Sequence, residues 1–190
     1  RILYMINVGI IGATGYAGIE LVRILLSHCK VNICAVSSVS FEGQDISDIY
    51  PSLSEIFTNR LENEDAVINK SDVVFAALPH GLSEKAAKKC YDEGKVFIDL
   101  GADFRLYDEN EYTEWYKGEY TEKQLHKNSV YGLCEIYRDK IKGKKIIANP
   151  GCYPTSIGLA LYPLLKKYKN LDNIIIDSKS GVTGAGRGLS

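Results

Sequence analysis

The chain has 190 residues, enough for one full domain and part of a second, with 45% apolar and 25% charged side chains as in water-soluble globular proteins. Its 23 basic and 24 acidic residues leave a formal charge of −1, which speaks against nucleic acid or an anionic membrane as a partner. No run is long enough to span a bilayer, and the five cysteines form no C-x-x-C pair, so a reducing, cytoplasmic setting is expected.

Ile6 to Ile11 is a short apolar run with a glycine turn after it, the pattern of a buried parallel strand. Met5 just before it is the expected natural start, with Arg1 to Tyr4 as an addition. From Gly15 to Cys29, Ile19, Val22, Leu25 and Leu26 recur at helical spacing. Val31 to Val36 reads as the second strand. Val73 to Leu78 reads as another, ended by Pro79 and Gly81, and Leu82 to Tyr91 as a helix stopped by Gly94. Val96 to Leu100 and Lys145 to Ala148 are further strands. Strand alternating with helix predicts an α/β, Rossmann-type doubly wound parallel sheet over residues 1–150. Tyr107 to Asn128, polar and rich in Tyr and Glu, is expected as a surface insertion. After Pro150 a helix from about Pro154 to Lys167 and a strand from Asn173 to Ile176 predict the start of an α+β catalytic domain over 151–190. One helix and one strand cannot bury their own faces, so this second unit is expected to be incomplete.

Gly12-Ala13-Thr14-Gly15-Tyr16-Ala17-Gly18 joins the first strand to the first helix. Glycine permits the tight turn and the close approach of a pyrophosphate, and amides at the helix start bind its charge. Gly12, Thr14, Gly15, Tyr16 and Ala17 are therefore candidate dinucleotide contacts; a glycine turn that only packs is the alternative. The second strand ends in Val36-Ser37-Ser38-Val39-Ser40, with no carboxylate before Glu42. An acid there accepts from the ribose hydroxyl of NAD, whereas hydroxyls donate to a 2′-phosphate. Ser37, Ser38 and Ser40 thus favour NADP, the alternative being a serine-rich loop without a ligand. Leu78-Pro79-His80-Gly81 leaves a central strand at the edge where open α/β sheets bind ligands. His80 suits a phosphate contact and a turn cap equally well.

Asn149-Pro150-Gly151-Cys152-Tyr153-Pro154-Thr155 turns out of a strand and sets Cys152 just ahead of a helix, with Pro154 suited to its first turn. A helix start stabilises a thiolate, and exposed amides there can hold an oxyanion. Cys29, Cys34, Cys90 and Cys134 instead fit inert structural positions. A thiol beside a nicotinamide implies attack on an activated acyl group, a thioester, and reduction to an aldehyde. That last step needs a proton shuttle, usually His. His28, His80 and His126 all precede Cys152, so the shuttle is expected outside this sequence.

The chain resembles the N-acetyl-γ-glutamyl-phosphate reductases of arginine biosynthesis from Asn7 to Ser190. The resemblance rests on the glycine turn, Leu78-Pro79-His80-Gly81, Asp99-Leu100-Gly101-Ala102-Asp103-Phe104-Arg105-Leu106, Val130-Tyr131-Gly132-Leu133, the Asn149 to Thr155 segment and Ser180-Gly181-Val182-Thr183-Gly184-Ala185-Gly186-Arg187. It implies that Cys152 is the catalytic thiol and that Ser180, Gly181 and Gly184 lie near the nicotinamide. It implies that an acyl phosphate, N-acetylglutamyl 5-phosphate, and NADPH give the semialdehyde, NADP and phosphate. It also implies a homo-oligomer at full length, and a family that continues well past Ser190. Gly101 stands where the family usually has Ser, and Cys134 where it usually has Pro. Val39 stands where related dehydrogenases often carry Arg, which weakens the case for NADP. Arg105 leaves a strand at the ligand edge and suits an anion; a salt bridge to Asp103 or Glu135 is the alternative. Arg187 is equally open. Asn149 and Glu135 are grouped with Arg105 on the substrate side, Glu135 also fitting an ordinary surface acid. Sister reductases of aspartyl phosphate or N-acetyl-aminoadipyl phosphate share much of this pattern. A nucleotide-binding module without catalysis is the reading from another class.

Overall fold

A computed structural model describes residues 5–168 and 170–186. Arg1 to Tyr4 and Arg187, for which expectations were given above, lie outside the described residues.

Seven strands form one parallel sheet in the order β3-β2-β1-β4-β5-β7-β6. They are β1 Ile6–Ile11, β2 Val31–Ser37, β3 Leu61–Glu62, β4 Val73–Ala76, β5 Val96–Asp99, β6 Val130–Tyr131 and β7 Ile146–Ala148. The order reverses between β1 and β4, and the crevice at such a switch point is where doubly wound sheets take ligands. Helix α1 (Tyr16–Leu26) leads from β1 to β2, α3 (Glu64–Lys70) from β3 to β4, and α4 (Ser83–Asp92) from β4 to β5. Between β2 and β3 lies the one-turn helix α2 (Ile46–Ile49), followed by a 3₁₀ turn.

Two buried clusters result. Val22 and Leu25 of α1 pack with Ile10, Val36, Ile46 and Phe57. Val67 and Ile68 of α3 pack with Ala86, Ala87, Cys90, Val74 and Phe97 in the other. Adjacent Ile10 and Ile11 fall in different clusters, as the alternation of side chains along a strand requires. The five interior strands β1, β2, β4, β5 and β7 were legible as apolar runs because both of their faces are covered; the two-residue edge strands β3 and β6 were not expected.

Several boundaries and assignments differ from expectation. Helix α1 stops at Leu26, and Cys29 lies in the loop beyond it. Strand β4 ends at Ala76, so Leu78 belongs to the ligand-side loop. Residues 107–128 are no loose insertion. They form α5 (Glu109–Tyr116) and α6 (Lys123–Asn128), and Tyr112, Leu125 and His126 of these helices are buried together with Tyr120 between them. Tyr120 stacks on His126 with ring centroids 3.4 Å apart, and Phe104 stacks on the same imidazole at 4.7 Å. His126 Nε2 and Glu84 Oε1 share a hydrogen bond of 2.8 Å. The polar composition misled because these groups find partners under the surface on other segments: Tyr112 on Asp103, Tyr120 on the Leu106 carbonyl and His126 on Glu84.

Residues 173–176 form no strand; Ile174, Ile175 and Ile176 are exposed, and no described strand pairs with them. A strand needs a neighbour for its backbone bonds, and an apolar run alone does not supply one. Helix α7 (Cys134–Ile141) begins at Cys134, which was expected in a loop. Helix α8 spans Cys152–Lys167, so Cys152 is its first residue rather than the one before. No helix among the described residues is long and apolar enough to cross a membrane.

Candidate active site

The loops after β1, β4, β5 and β7 share the carboxyl edge of the sheet. The first is the glycine turn. Gly12 has φ +77°, and a Cβ on it would come within 2.4 Å of the Ala77 carbonyl oxygen. On Gly18 a Cβ would meet Gly12 O at 2.2 Å. The backbone here is so close to its neighbours that only glycine fits. Gly15 is the N-cap of α1, and Tyr16 and Ala17, exposed, are its first two residues. A bare backbone cradle at a helix start fits a pyrophosphate.

The turn is tied to the end of β2. Ala13 N–H donates to the Ser37 carbonyl at 2.9 Å, and the hydroxyls of Thr14 and Ser38 share a hydrogen bond of 2.7 Å. Ser37 and Ser38 are buried, Ser40 is exposed, and all three were grouped by sequence as one surface. Gly12, Ser37, Ser38, Val39 and Leu78 line one small cleft, which Glu42 and Glu64 also line. Glu42 lies beyond the serines in sequence yet shares their cleft. Burial pushes the Glu64 carboxyl above its ordinary value.

The loop Leu78-Pro79-His80-Gly81 is fixed by Asp103. That buried carboxylate accepts from Gly81 N–H at 2.6 Å, from Ser83 N–H at 2.8 Å and from the Tyr112 hydroxyl at 3.1 Å. It thereby takes a free amide at the start of α4. Gly81 has φ +84°, which suits the bend. Pro79 and His80 are exposed, and the His80 ring lies 5.7 Å from that of Tyr116. Beneath them Asp99 Oδ1 accepts from Ser83 Oγ at 2.7 Å and from Gly101 N–H at 2.9 Å. Asp99 Oδ2 is buried without a partner among the described residues. Burial raises this carboxyl to about 6, with Asp103 adding to the effect and the bond from Ser83 opposing it.

Cys152 is exposed at the first position of α8, after the N-cap Gly151. It lines a cavity of about 300 Å³ with Arg105, Leu106, Tyr116, Tyr131, Gly151, Tyr153 and Pro154. The alternative reading of Arg105, an ion pair with Asp103 or Glu135, is not seen among the described residues. Arg105 instead donates through Nε to the Asn149 carbonyl at 2.8 Å and through Nη2 to the Leu100 carbonyl at 2.7 Å. A Cβ on Gly151 would lie 3.2 Å from Arg105 Nη1, so the guanidinium stands against the cysteine turn. The Asn149 side chain turns back to the Pro150 carbonyl at 3.2 Å. Glu135, exposed on α7, does not line this cavity. Ser180, Gly181 and Gly184 lie on an exposed segment past α8, with Gly184 N–H donating to Gly181 O at 3.0 Å. Of the other thiols, Cys90 is buried and its thiol is pushed by desolvation to about 12. Cys29 and Cys134 are exposed, contrary to the structural role expected of them.

Tyr116 was not anticipated. It brings α5 into the wall of the Cys152 cavity, and its ring stacks on Tyr112 at 5.3 Å. The available signal was the spacing of Tyr112 and Tyr116, four apart and so on one helical face. Among the described residues no cluster of three or more His, Cys, Asp or Glu suits a metal.

A family model described as "Semialdehyde dehydrogenase, NAD binding domain" matches residues 7–144, and one described as "Semialdehyde dehydrogenase, dimerisation domain" matches residues 152–190. A Clostridium beijerinckii protein named N-acetyl-gamma-glutamyl-phosphate reductase is 59% identical over 98% of this chain and 54% of its own length. The protein of that name from Brachyspira hyodysenteriae is 53% identical over 97% of this chain and 55% of its own. The chain thus spans about half the length of the curated relatives it matches. Aspartate semialdehyde dehydrogenase II of Vibrio cholerae, solved with a ligand abbreviated ASA, covers 96% of this chain and 48% of itself, with TM-score 0.65 and 21% identity. The Candida albicans aspartate semialdehyde dehydrogenase, solved with NADP, gives TM-score 0.58 at 18% identity over 88% of this chain and 49% of that one. At such identities the two structures speak for the fold alone.

Proposed function

Because the chain belongs to the semialdehyde dehydrogenase family, we propose that the whole protein reduces N-acetylglutamyl 5-phosphate to the semialdehyde through a thioester on Cys152, as a step of arginine biosynthesis. In this reading residues 1–150 bind the dinucleotide and residues 151–190 begin the catalytic and dimerisation unit. The observation that carries it is the cavity in which Cys152, at the head of α8, faces the same space as Arg105.

The chemistry follows from that pairing. Cys152 sits at the start of α8, where free backbone amides can hold the oxyanion that forms when sulfur adds to the acyl carbon. Arg105, anchored by two backbone carbonyls, keeps Nη1 for an anion. It holds the phosphate while the sulfur bonds to the acyl carbon; the carbon–oxygen bond to phosphate then breaks and phosphate leaves. The thioester keeps the acyl carbon fixed beside the cofactor edge, an arrangement that free substrate lacks. Gly12, Thr14, Gly15, Tyr16 and Ala17 would hold the pyrophosphate. Leu78, Pro79 and His80, with Ser180, Gly181 and Gly184, would border the nicotinamide, whose chemistry when bound is hydride donation. Asn149 acts through its carbonyl, which fixes Arg105. Glu135 is left to the substrate side of the longer protein.

NADP is the dinucleotide proposed, on the hydroxyls of Ser37, Ser38 and Ser40. Glu42 and Glu64 in the same cleft oppose a 2′-phosphate, so the preference over NAD is modest. The protein works in the cytoplasm on small molecules, as a homo-oligomer.

The test is Cys152→Ser in the full-length protein. A serine hydroxyl is scarcely ionised without a strong base, so turnover should fall by several orders of magnitude, while NADPH binding stays within twofold. Retained turnover would remove the thioester from the reading. A panel of aspartyl, N-acetylglutamyl and N-acetyl-aminoadipyl phosphates on the parent enzyme tests the substrate.

A further inference from the structure

We propose that Tyr116 of α5 is a substrate-contacting residue that sets specificity for an acyl phosphate whose amino group is capped as a neutral amide. This rests on the acyl-phosphate reading above and adds to it a residue outside the glycine turn and the cysteine segment.

Tyr116 is half-buried and forms part of the wall of the Cys152 cavity. Its position is over-determined. On one side its ring stacks on Tyr112 at 5.3 Å with planes 27° apart. Tyr112 is buried and gives its hydroxyl to Asp103, the same carboxylate that receives Gly81 and Ser83 N–H. On the other side Tyr116 meets the His80 ring at 5.7 Å. One carboxylate therefore fixes both the cofactor-side loop and the helix that presents Tyr116. An aromatic ring held this way offers a flat, rigid face at little entropic cost.

The composition of the cavity decides what that face receives. Among the described residues that line it, Arg105 is the one charged side chain and none is a carboxylate. A phosphate has its cation there, but a free ammonium has no anion to replace its water, and desolvating an unpaired charge is costly. A planar, uncharged amide can instead lie against Tyr116 and Tyr131. The acyl phosphate that fits is N-acylated.

The test is made in the full-length enzyme with Tyr116→Ala, Tyr116→Leu and Tyr116→Phe. KM for N-acetylglutamyl phosphate should rise about tenfold in the Ala and Leu variants and stay within twofold in Phe, with kcat within threefold, since uniform binding is what is lost. The preference for N-acetylated over free-amine acyl phosphate should fall by about the same factor. NADPH binding and Cys152 alkylation should be unchanged, which separates a lost contact from a damaged fold. An unchanged KM and preference in Tyr116→Ala and Tyr116→Leu would overturn this inference and leave the acyl-phosphate reading standing. Loss of NADPH binding in both variants would also overturn it, assigning Tyr116 to the fold. A parent enzyme that reduces no acyl phosphate would remove the reading itself and this inference with it.

Discussion

Arg105 Nε donates to the Asn149 carbonyl oxygen at 2.8 Å, so one guanidinium joins the loop after β5 to the loop that carries Cys152. With Nη2 on the Leu100 carbonyl at 2.7 Å, the fork is held in a fixed plane while Nη1 stands beside Gly151. A lysine keeps the charge but cannot span both carbonyls. In full-length Arg105→Lys, kcat/KM for the acyl phosphate should fall about 30-fold, the loss of about 2 kcal/mol expected of charge-assisted bonds. Unchanged kinetics would take Arg105 out of the anion site.

The cofactor preference can be moved from the end of β2. The Ser38 hydroxyl already bonds Thr14 Oγ1 at 2.7 Å, inside the cleft that Glu42 also lines. Ser38→Asp adds a second acid against a 2′-phosphate and supplies an acceptor for a ribose hydroxyl. The NADPH:NADH affinity ratio, measured by titration, should drop at least about tenfold, while Glu42→Gln should raise it. Tighter binding of NADH than NADPH to the parent protein would refute the serine argument.

The five thiols should separate in a labelling experiment. Cys90 is buried with its thiol pushed to about 12, so iodoacetamide should leave it unmodified in the folded protein near neutral pH. Cys29 and Cys134 are exposed and should react, but more slowly than Cys152 at its helix start. Peptide mass spectrometry over a time course gives the order. Labelling of Cys29 or Cys134 ahead of Cys152 would count against activation of the proposed nucleophile.

Asp99 predicts a pH dependence with a definite sign. Its folded-state value of about 6 lies above the ordinary 3.8 because burial disfavours the charge. The fold therefore binds a proton that the unfolded chain releases. The contribution is full below about pH 4 and is lost as pH rises through 6. Asp99→Asn removes the titration and puts an amide where Oδ2 has no partner. Its unfolding free energy relative to the parent should grow by about 1–3 kcal/mol between pH 4 and pH 7, then level off. A flat difference would mean that Asp99 is charged in the fold throughout.

The sequence made the five interior strands and the glycine turn easy to read, though not the two-residue edge strands β3 and β6, because covered strands are apolar runs and a backbone–backbone approach such as Gly18 to Gly12 tolerates no side chain. The place of Cys152 at a helix start was legible from Pro154, which suits the first turn of a helix. The helices α5 and α6 were not. Their polar groups bond to other segments, as with His126 on Glu84 and Tyr112 on Asp103, and composition cannot report a partner 9 or 42 residues away. Tyr116 was hidden for the same reason, as was Glu42, which folding brings to the serines' cleft. The apolar 173–176 run failed in the opposite sense: its pattern is strand-like, but strand formation needs a neighbour.

The central claim is a covalent intermediate on Cys152. Run in reverse, the full-length enzyme with N-acetylglutamate semialdehyde and NADP, and with phosphate withheld, should stop at the thioester. Mass spectrometry of the trapped protein should find the N-acetylglutamyl group on the peptide containing Cys152, and addition of phosphate should discharge it. An acyl group on Cys29, Cys34, Cys90 or Cys134, or steady NADP reduction without any protein adduct, would contradict the account.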